Sequence, residues 1–417
     1  MGGIKRVIWI VLDGVGAGEL PDAGDYGDRG AHTLLHTAEA VGGLSLPNLE
    51  RLGLGNVAPA EGLMSRRDAE GAFGKMKEAS PGKDSTTGHW ELAGVILDRP
   101  FPVYPRGFPP EVVEEFERRI GRKVLGNRPA SGTSIIEELG EEHLRTGRPI
   151  LYTSADSVFQ LAAHKEVIPL EELYRMCRAA REILRGEHAV SRVIARPFVG
   201  QPGSFRRVGA ERLDLSLPPP RPTVLDLCRE AGLPVIGVGK VGDLFAGRGF
   251  LRSPHTSGNA ETMSRLLEEV KAGGSGILMA NLVDFDMLYG HRRDPEGFAG
   301  ALREVDAFLP RLQEAMRPED LLLMVSDHGC DPTFRGTDHT REYGLLLAWS
   351  PVLSAGVDLG TRKTFADAGK TVAELLGLDG SSLDGDSFAG RFRGKKGDFN
   401  PCQGPGSPGE AEAGLGR

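Results

Sequence analysis

The chain has 417 residues, a mass of 44.7 kDa and a formal net charge of -8. At roughly 150 residues per domain it divides into two or three domains with ample length for a large core. With 40% hydrophobic and 26% charged residues it is neither fibrous nor disordered, and 50 basic against 58 acidic side chains argue against a nucleic-acid binder. Surplus carboxylates also raise the question of cation binding. Cys177, Cys228, Cys330 and Cys402 form no CxxC pair, so neither a zinc ribbon nor a disulfide framework is expected. No apolar run approaches the ~20 residues of a membrane helix. The N-terminal run Val7–Leu12 is too short for a signal-peptide core. A soluble cytoplasmic protein is expected.

In chain order, Val7–Leu12, Val235–Val238, Gly276–Ala280 and Leu321–Val325 are apolar runs with the length of buried strands. Amphipathic helices lie among them. Pro110–Ile120 should stop at Gly121, and Leu170–Leu184 carries one apolar stripe. Asn259–Lys271 is a third, and Phe298–Leu309 should be interrupted by Pro310. Thr364 and Asp367 read as a capping box opening a helix to Leu376. This alternation predicts an α/β fold with a mostly parallel sheet. Proline clusters near residues 100–110 and 217–222 delimit an inserted domain over 100–217. The core is then discontinuous, 1–99 and 218–393. The Gly/Pro-rich stretch 394–417 reads as a disordered tail.

Three of the apolar runs lead into aspartates: Asp13, the Asp284–Asp286 pair and Asp327. In open parallel sheets ligands bind beyond the carboxyl ends of the strands, so these carboxylates share one edge. Like charges there repel unless a cation intervenes. His291, His328 and His339 each follow an aspartate closely. Carboxylate and imidazole without thiolate suit Mn²⁺, Zn²⁺ or Mg²⁺, and the ligand surplus suggests two ions clamping a phosphoryl group. The polar run Lys83–Glu91 could supply a nucleophilic hydroxyl. Pattern alone does not choose among Ser85, Thr86 and Thr87.

The segments VLDGVGAGELPDA, GKDSTTGHWELAG, GNRPASGT, YTSADSVFQLAAH, RVIARPFVG, NLVDFDMLYGHRRDP, SDHGCDP and GTDHTREY resemble phosphopentomutases of the alkaline phosphatase superfamily. The resemblance extends to about residue 390. It implies an alkaline-phosphatase-like core with an inserted, smaller α/β cap domain. It implies two Mn²⁺ ions, with Mg²⁺, Zn²⁺ or Co²⁺ as substitutes. Asp286, His291 and His339 would hold one ion. Asp13, Asp327 and His328 would hold the other, with Ser85 as nucleophile and further ligand. The family usually carries Thr at that position, and Asn where this chain has Cys330. Ser154, Asp156, Arg192, Arg207 and Lys240 would bind the sugar phosphate, with Arg196 a further basic candidate. The implied reaction interconverts ribose 1-phosphate, or its 2-deoxy analogue, with the 5-phosphate. It runs through a phosphoenzyme and a bisphosphate intermediate, primed by a sugar bisphosphate. The alternative within the superfamily is a metal-dependent phosphatase, a sulfatase or a phosphoglycerate-mutase-like enzyme. The implied partner is a small sugar phosphate, with no nucleic acid, membrane or obligatory protein partner.

Overall fold

The structure, a computed structural model, describes residues 3–154 and 157–392. Its strands are β1 Arg6–Leu12, β2 Gly16–Glu19, β3 Ala72–Met76, β4 Leu125–Pro129, β5 Ile150–Thr153, β6 Val158–His164, β7 Arg192–Val199, β8 Arg206–Arg207, β9 Leu213–Ser216, β10 Val235–Val238, β11 Gly276–Leu282, β12 Asp320–Val325, β13 Glu342–Trp349 and β14 Val357–Arg362. Two compact units part at Asp98/Arg99 and Pro219/Pro220, with Asp243–Gly247 grouped with the second. Residues 394–417, read as a tail, lie outside the described residues.

The larger unit is built on an eight-stranded sheet in the order β10-β11-β1-β12-β13-β3-β14, with β2 paired to β13. Its centre is parallel: β1 lies between β11 and β12, with Leu12 opposite Leu282 and Val11 opposite Val325. β13 runs antiparallel to both β12 and β3, so the sheet is mixed. Every residue of β1 is buried, which explains its unbroken apolar run. Each such fully buried side chain contributes about 1.5–3 kcal/mol against exposure. One face packs through Ile8, Ile10 and Leu12 against apolar residues of helices Asn259–Ala272 and Pro295–Ala315. Helices Ser85–Leu92 and Val224–Glu230 both pack against Ala366–Leu375. At the amino ends, the fully buried Arg6 and Asp320 pair through two contacts of 2.5 and 2.9 Å. The two then enter the sheet as neighbours.

Two local expectations are corrected. Pro310 does not interrupt its helix, which continues to Ala315. Proline lacks the N–H that would bond the carbonyl four residues back. That carbonyl, on Asp306, instead accepts from Asn48 Nδ2 at 3.1 Å. Thr364 and Asp367 form no capping box. Thr364 Oγ1 donates to Glu91 at 2.6 Å, and Asp367 is taken by Arg362 and the amide of Asp386. The box occurs at Thr223 and Asp226 instead.

The smaller unit has a six-stranded sheet, β4-β5-β6-β7-β8 with β9 paired to β7. Helices Pro110–Ile120 and Leu170–Ile183 bury Val112, Phe116, Leu173 and Cys177 in one apolar cluster with Phe159 and Val193 of the sheet. A second cluster places Ile135 and Ile136 of helix Gly132–Thr146 against Ile150 and Tyr152. Among the described residues no helix is long and apolar enough to cross a membrane.

Candidate metal and phosphoryl-transfer site

The parallel centre of the larger sheet delivers Asp13, Asp286 and Asp327 to one edge. Asp13 directly follows β1. Asp327 follows β12 by one residue. Asp286 lies in the π-helical turn Phe285–Gly290 just after β11. His291 follows that turn, and His339 reaches the site on the connection into β13.

The side chains meet in three overlapping groups: Asp13 with Asp327 and His328, Asp286 with His328 and His339, and Asp286 with His291 and Cys330. His328 Nε2 stands 3.3 Å from Asp13 Oδ1 and 3.4 Å from Asp327 Oδ2. Asp286 presents Oδ1 to His339 Nε2 at 3.0 Å and Oδ2 to His291 Nε2 at 3.2 Å. Atoms bound to one ion at about 2.1 Å and tetrahedral to octahedral angles stand about 3.0–3.4 Å apart, which matches all four separations. Among the described residues, buried Asp286 Oδ1 and His339 Nε2 have no hydrogen-bond partner despite this proximity. The opposite ring nitrogens decide the tautomer. Nδ1 of His291, His328 and His339 faces the carbonyls of Thr337, Gly329 and Lys83 at 2.7, 3.0 and 2.8 Å. Each Nδ1–H donates there, so each Nε2 turns a lone pair or a second proton toward carboxylate oxygen. A divalent cation would satisfy the ligand atoms of a group together, and the donor sets fit such ions.

Without a cation, protons do that work. Burial raises the Asp13 carboxyl, and the charge of Asp327 adds to it. Burial also opposes ionisation of Asp286, but His339 and His291 outweigh it and hold the carboxyl well below its ordinary value. His291 rises to about 9 against its burial because of Asp286. Burial likewise opposes charge on His328, yet Asp327 and Asp13 lift it well above the usual imidazole range.

Ser85 opens the helix Ser85–Leu92, capped by Asp84. Its Oγ lies 3.0 Å from His328 Nε2 and 3.4 Å from Asp13 Oδ1. The hydroxyl of Thr87 donates to Asp84 at 2.6 Å, and the Thr87 amide donates to the same carboxylate.

Residues 248–380 match a family model described as the metalloenzyme superfamily. The chain is 58% identical over 385 residues to a phosphopentomutase of Caldanaerobacter subterraneus subsp. tengcongensis, covering 92% of this chain and 97% of that relative. It is 57% identical over 390 residues to a phosphopentomutase of Carboxydothermus hydrogenoformans, covering 94% and 100%. The chain belongs to the phosphopentomutase family. It is therefore an enzyme, an isomerase of the phosphotransferase kind, and uses a divalent metal. A solved phosphoglycerate mutase of Leishmania mexicana aligns with 93% of this chain and 98% of its own at 13% identity and a TM-score of 0.45.

The sugar-phosphate candidates of this phosphopentomutase-family chain are dispersed. Arg192 begins β7, whereas Arg207 in β8 pairs with Phe198, six residues further along β7 and so roughly 20 Å away by backbone. The Arg207 guanidinium nevertheless comes within 3.4 Å of a Cβ position on Gly132. Arg196 is bonded to Gln160 by two contacts of 3.2 and 2.9 Å. Ser154 follows β5, and Lys240, exposed after β10, has Nζ 3.9 Å from Met287 Sδ. Asp156 lies outside the described residues.

Several contributors lie inside the segments quoted above but carried no assigned role there. Asn281 Nδ2 donates to Asp13 Oδ2 at 2.8 Å. His89 Nδ1 lies 2.8 Å from the Ser85 carbonyl and 3.0 Å from Asp327 Oδ2, and its i+4 spacing from Ser85 on a helix was the available signal. Arg341 binds the carbonyls of Glu78, Ser80 and Gly82, together with the carboxylates of Glu78 and Asp22. It thus clamps the loop leading to Ser85 from a position two residues after His339.

Proposed function

We propose that this chain interconverts the 1- and 5-phosphates of ribose and 2-deoxyribose by passing a phosphoryl group through Ser85. The observation that carries the reading is the Ser85 hydroxyl facing Asp13 and His328 while the Thr87 hydroxyl is committed to Asp84. Asp286, His291 and His339 would hold one divalent ion and Asp13, Asp327 and His328 a second, taken as Mn²⁺ with Mg²⁺, Zn²⁺ or Co²⁺ as substitutes. Such ions lower the pKa of a coordinated hydroxyl and offset charge on a transferring phosphoryl group.

In the first half-reaction the free hydroxyl of the pentose phosphate attacks phosphoserine 85. A sugar O–P bond forms, the Ser85 Oγ–P bond breaks, and the sugar hydroxyl releases its proton. The product is a pentose bisphosphate. In the second half Ser85 Oγ attacks the other phosphate, and the oxygen it leaves takes up a proton. Net, one phosphate has changed position. A sugar bisphosphate charges Ser85 at the outset. Asn281 and His89 hold Asp13 and Asp327 in orientation, and Asp84 keeps Thr87 from competing. Ser154, Asp156, Arg192, Arg207 and Lys240 supply hydrogen bonds and positive charge for the phosphate that is not being transferred. The division of the chain into a core of 1–99 and 218–393 and a cap of 100–217 belongs to the same proposal. So does a cytoplasmic setting, which Cys177, Cys228 and Cys330, free of disulfides among the described residues, support.

The test is to mix the protein with Mn²⁺, a priming pentose bisphosphate and ribose 5-phosphate, then map any phosphopeptide. Ribose 1-phosphate and phosphate on Ser85 are expected. Inorganic phosphate as the only product, or phosphate on Thr87, refutes the reading.

A further inference from the structure

Cys330 occupies a place in the site that the reading above does not use. It is buried, and its amide donates to the carbonyl of Gly14, directly after Asp13, at 2.8 Å. A Cβ on Gly290 would stand 2.4 Å from its sulfur, and one on Gly14 would stand 2.9 Å from its Cβ. The two glycines therefore leave room for the side chain beside the Asp286–His291 turn. Its Sγ lies against the His291 ring, 3.9 Å from the Nδ1 that donates to the Thr337 carbonyl. The ligand atoms of Asp286, His291 and Cys330 all fall within 4.8 Å of one another. An ion about 2.1 Å from nitrogen and oxygen and 2.3 Å from sulfur sets opposite ligands about 4.4 Å apart and adjacent ones about 3.1 Å apart, so the three side chains draw together to hold it.

We propose that Cys330 is a sulfur ligand of the ion held by Asp286 and His291, and that it tunes this position toward thiophilic divalent ions. Sulfur prefers Zn²⁺ and Co²⁺ to Mn²⁺ and Mg²⁺, which favour oxygen. Binding such an ion releases the thiol proton to solvent. The inference rests on the metal-site reading above.

The experiment adds Co²⁺ to the chelator-treated full-length protein and records the absorption spectrum together with bound metal per chain. The expected result is a near-ultraviolet sulfur-to-cobalt charge-transfer band in the wild type. It should be absent in Cys330→Ser and Cys330→Asn, both still binding cobalt. Competition between Zn²⁺ and Mn²⁺ should shift about tenfold or more toward Mn²⁺ in Cys330→Asn. Two variants are used so that a folding defect in one leaves the other to report. Cobalt bound without the band, or a band surviving in either variant, overturns the role of Cys330 alone. No cobalt bound to the wild type overturns the metal-site reading as well.

Discussion

Replacing Asp13 by Asn tests whether the strand-end carboxylates form an ion site. The change keeps the shape and leaves an oxygen for the Asn281 amide, but removes one charge from a buried cluster. The ligand oxygens of Asp13 and Asp327 lie within 4.8 Å of each other. At that separation and an effective dielectric of 20, two unit charges repel by about 3 kcal/mol. The metal-free variant should therefore be at least as stable as the metal-free wild type, in line with the burial and Asp327 charge that disfavour an ionised Asp13. Metal should reverse the order. An ion at 100 to 1,000 times its Kd stabilises the native state by about 2.7–4.1 kcal/mol. The wild type should show that gain at the occupied position and Asp13→Asn should lose most of it. Urea unfolding of chelated and Mn²⁺-loaded protein measures both quantities. An Asp13→Asn variant that gains as much from Mn²⁺ as the wild type would refute the argument.

Three further outcomes are expected. Ser85→Ala should abolish phosphoenzyme and isomerisation while still binding metal, and Thr87→Val should keep the phosphoenzyme; intact mass before and after priming distinguishes them. Arg341→Met should unfold about 3–5 kcal/mol more easily, because Glu78 and three carbonyls lose their buried partner, and should show a lower kcat as the Ser85 loop slackens. Adding Glu78→Gln should restore at least about 1 kcal/mol of that loss, and strict additivity by denaturant titration would contradict the clamp. Asp320 is opposed by burial but held by Arg6 below its ordinary 3.8. A depressed carboxyl contributes its stability above the unfolded value and loses it as pH falls through the folded one. The stability gap between wild type and Asp320→Asn should thus be flat from about pH 5 to 8 and close below about pH 4; a gap unchanged at pH 2 would contradict the pairing.

The legible parts share one property: they depend on neighbours in sequence. Val7–Leu12, Gly276–Ala280 and Leu321–Val325 announce buried parallel strands because a strand covered on both faces has no polar side to show. Their trailing aspartates then share an edge, as parallel direction requires. Pro310 misled because its helix borrows a partner from Asn48, 258 residues distant from Asp306 in sequence. Thr364 and Asp367 misled because Glu91 and Arg362 compete for the same atoms. The sequence by itself determined the apolar strands, the helices that alternate with them and the stock of carboxylates, imidazoles and hydroxyls. Only the tertiary structure turned the Ser85 hydroxyl toward Asp13 and His328 and the Thr87 hydroxyl toward Asp84, oriented three imidazoles by their backbone carbonyls, and brought Arg341 onto the loop before Ser85. Hydrogen bonds between distant segments have no period to read, since each is chosen by which atoms remain unpaired when the sheet and helices close.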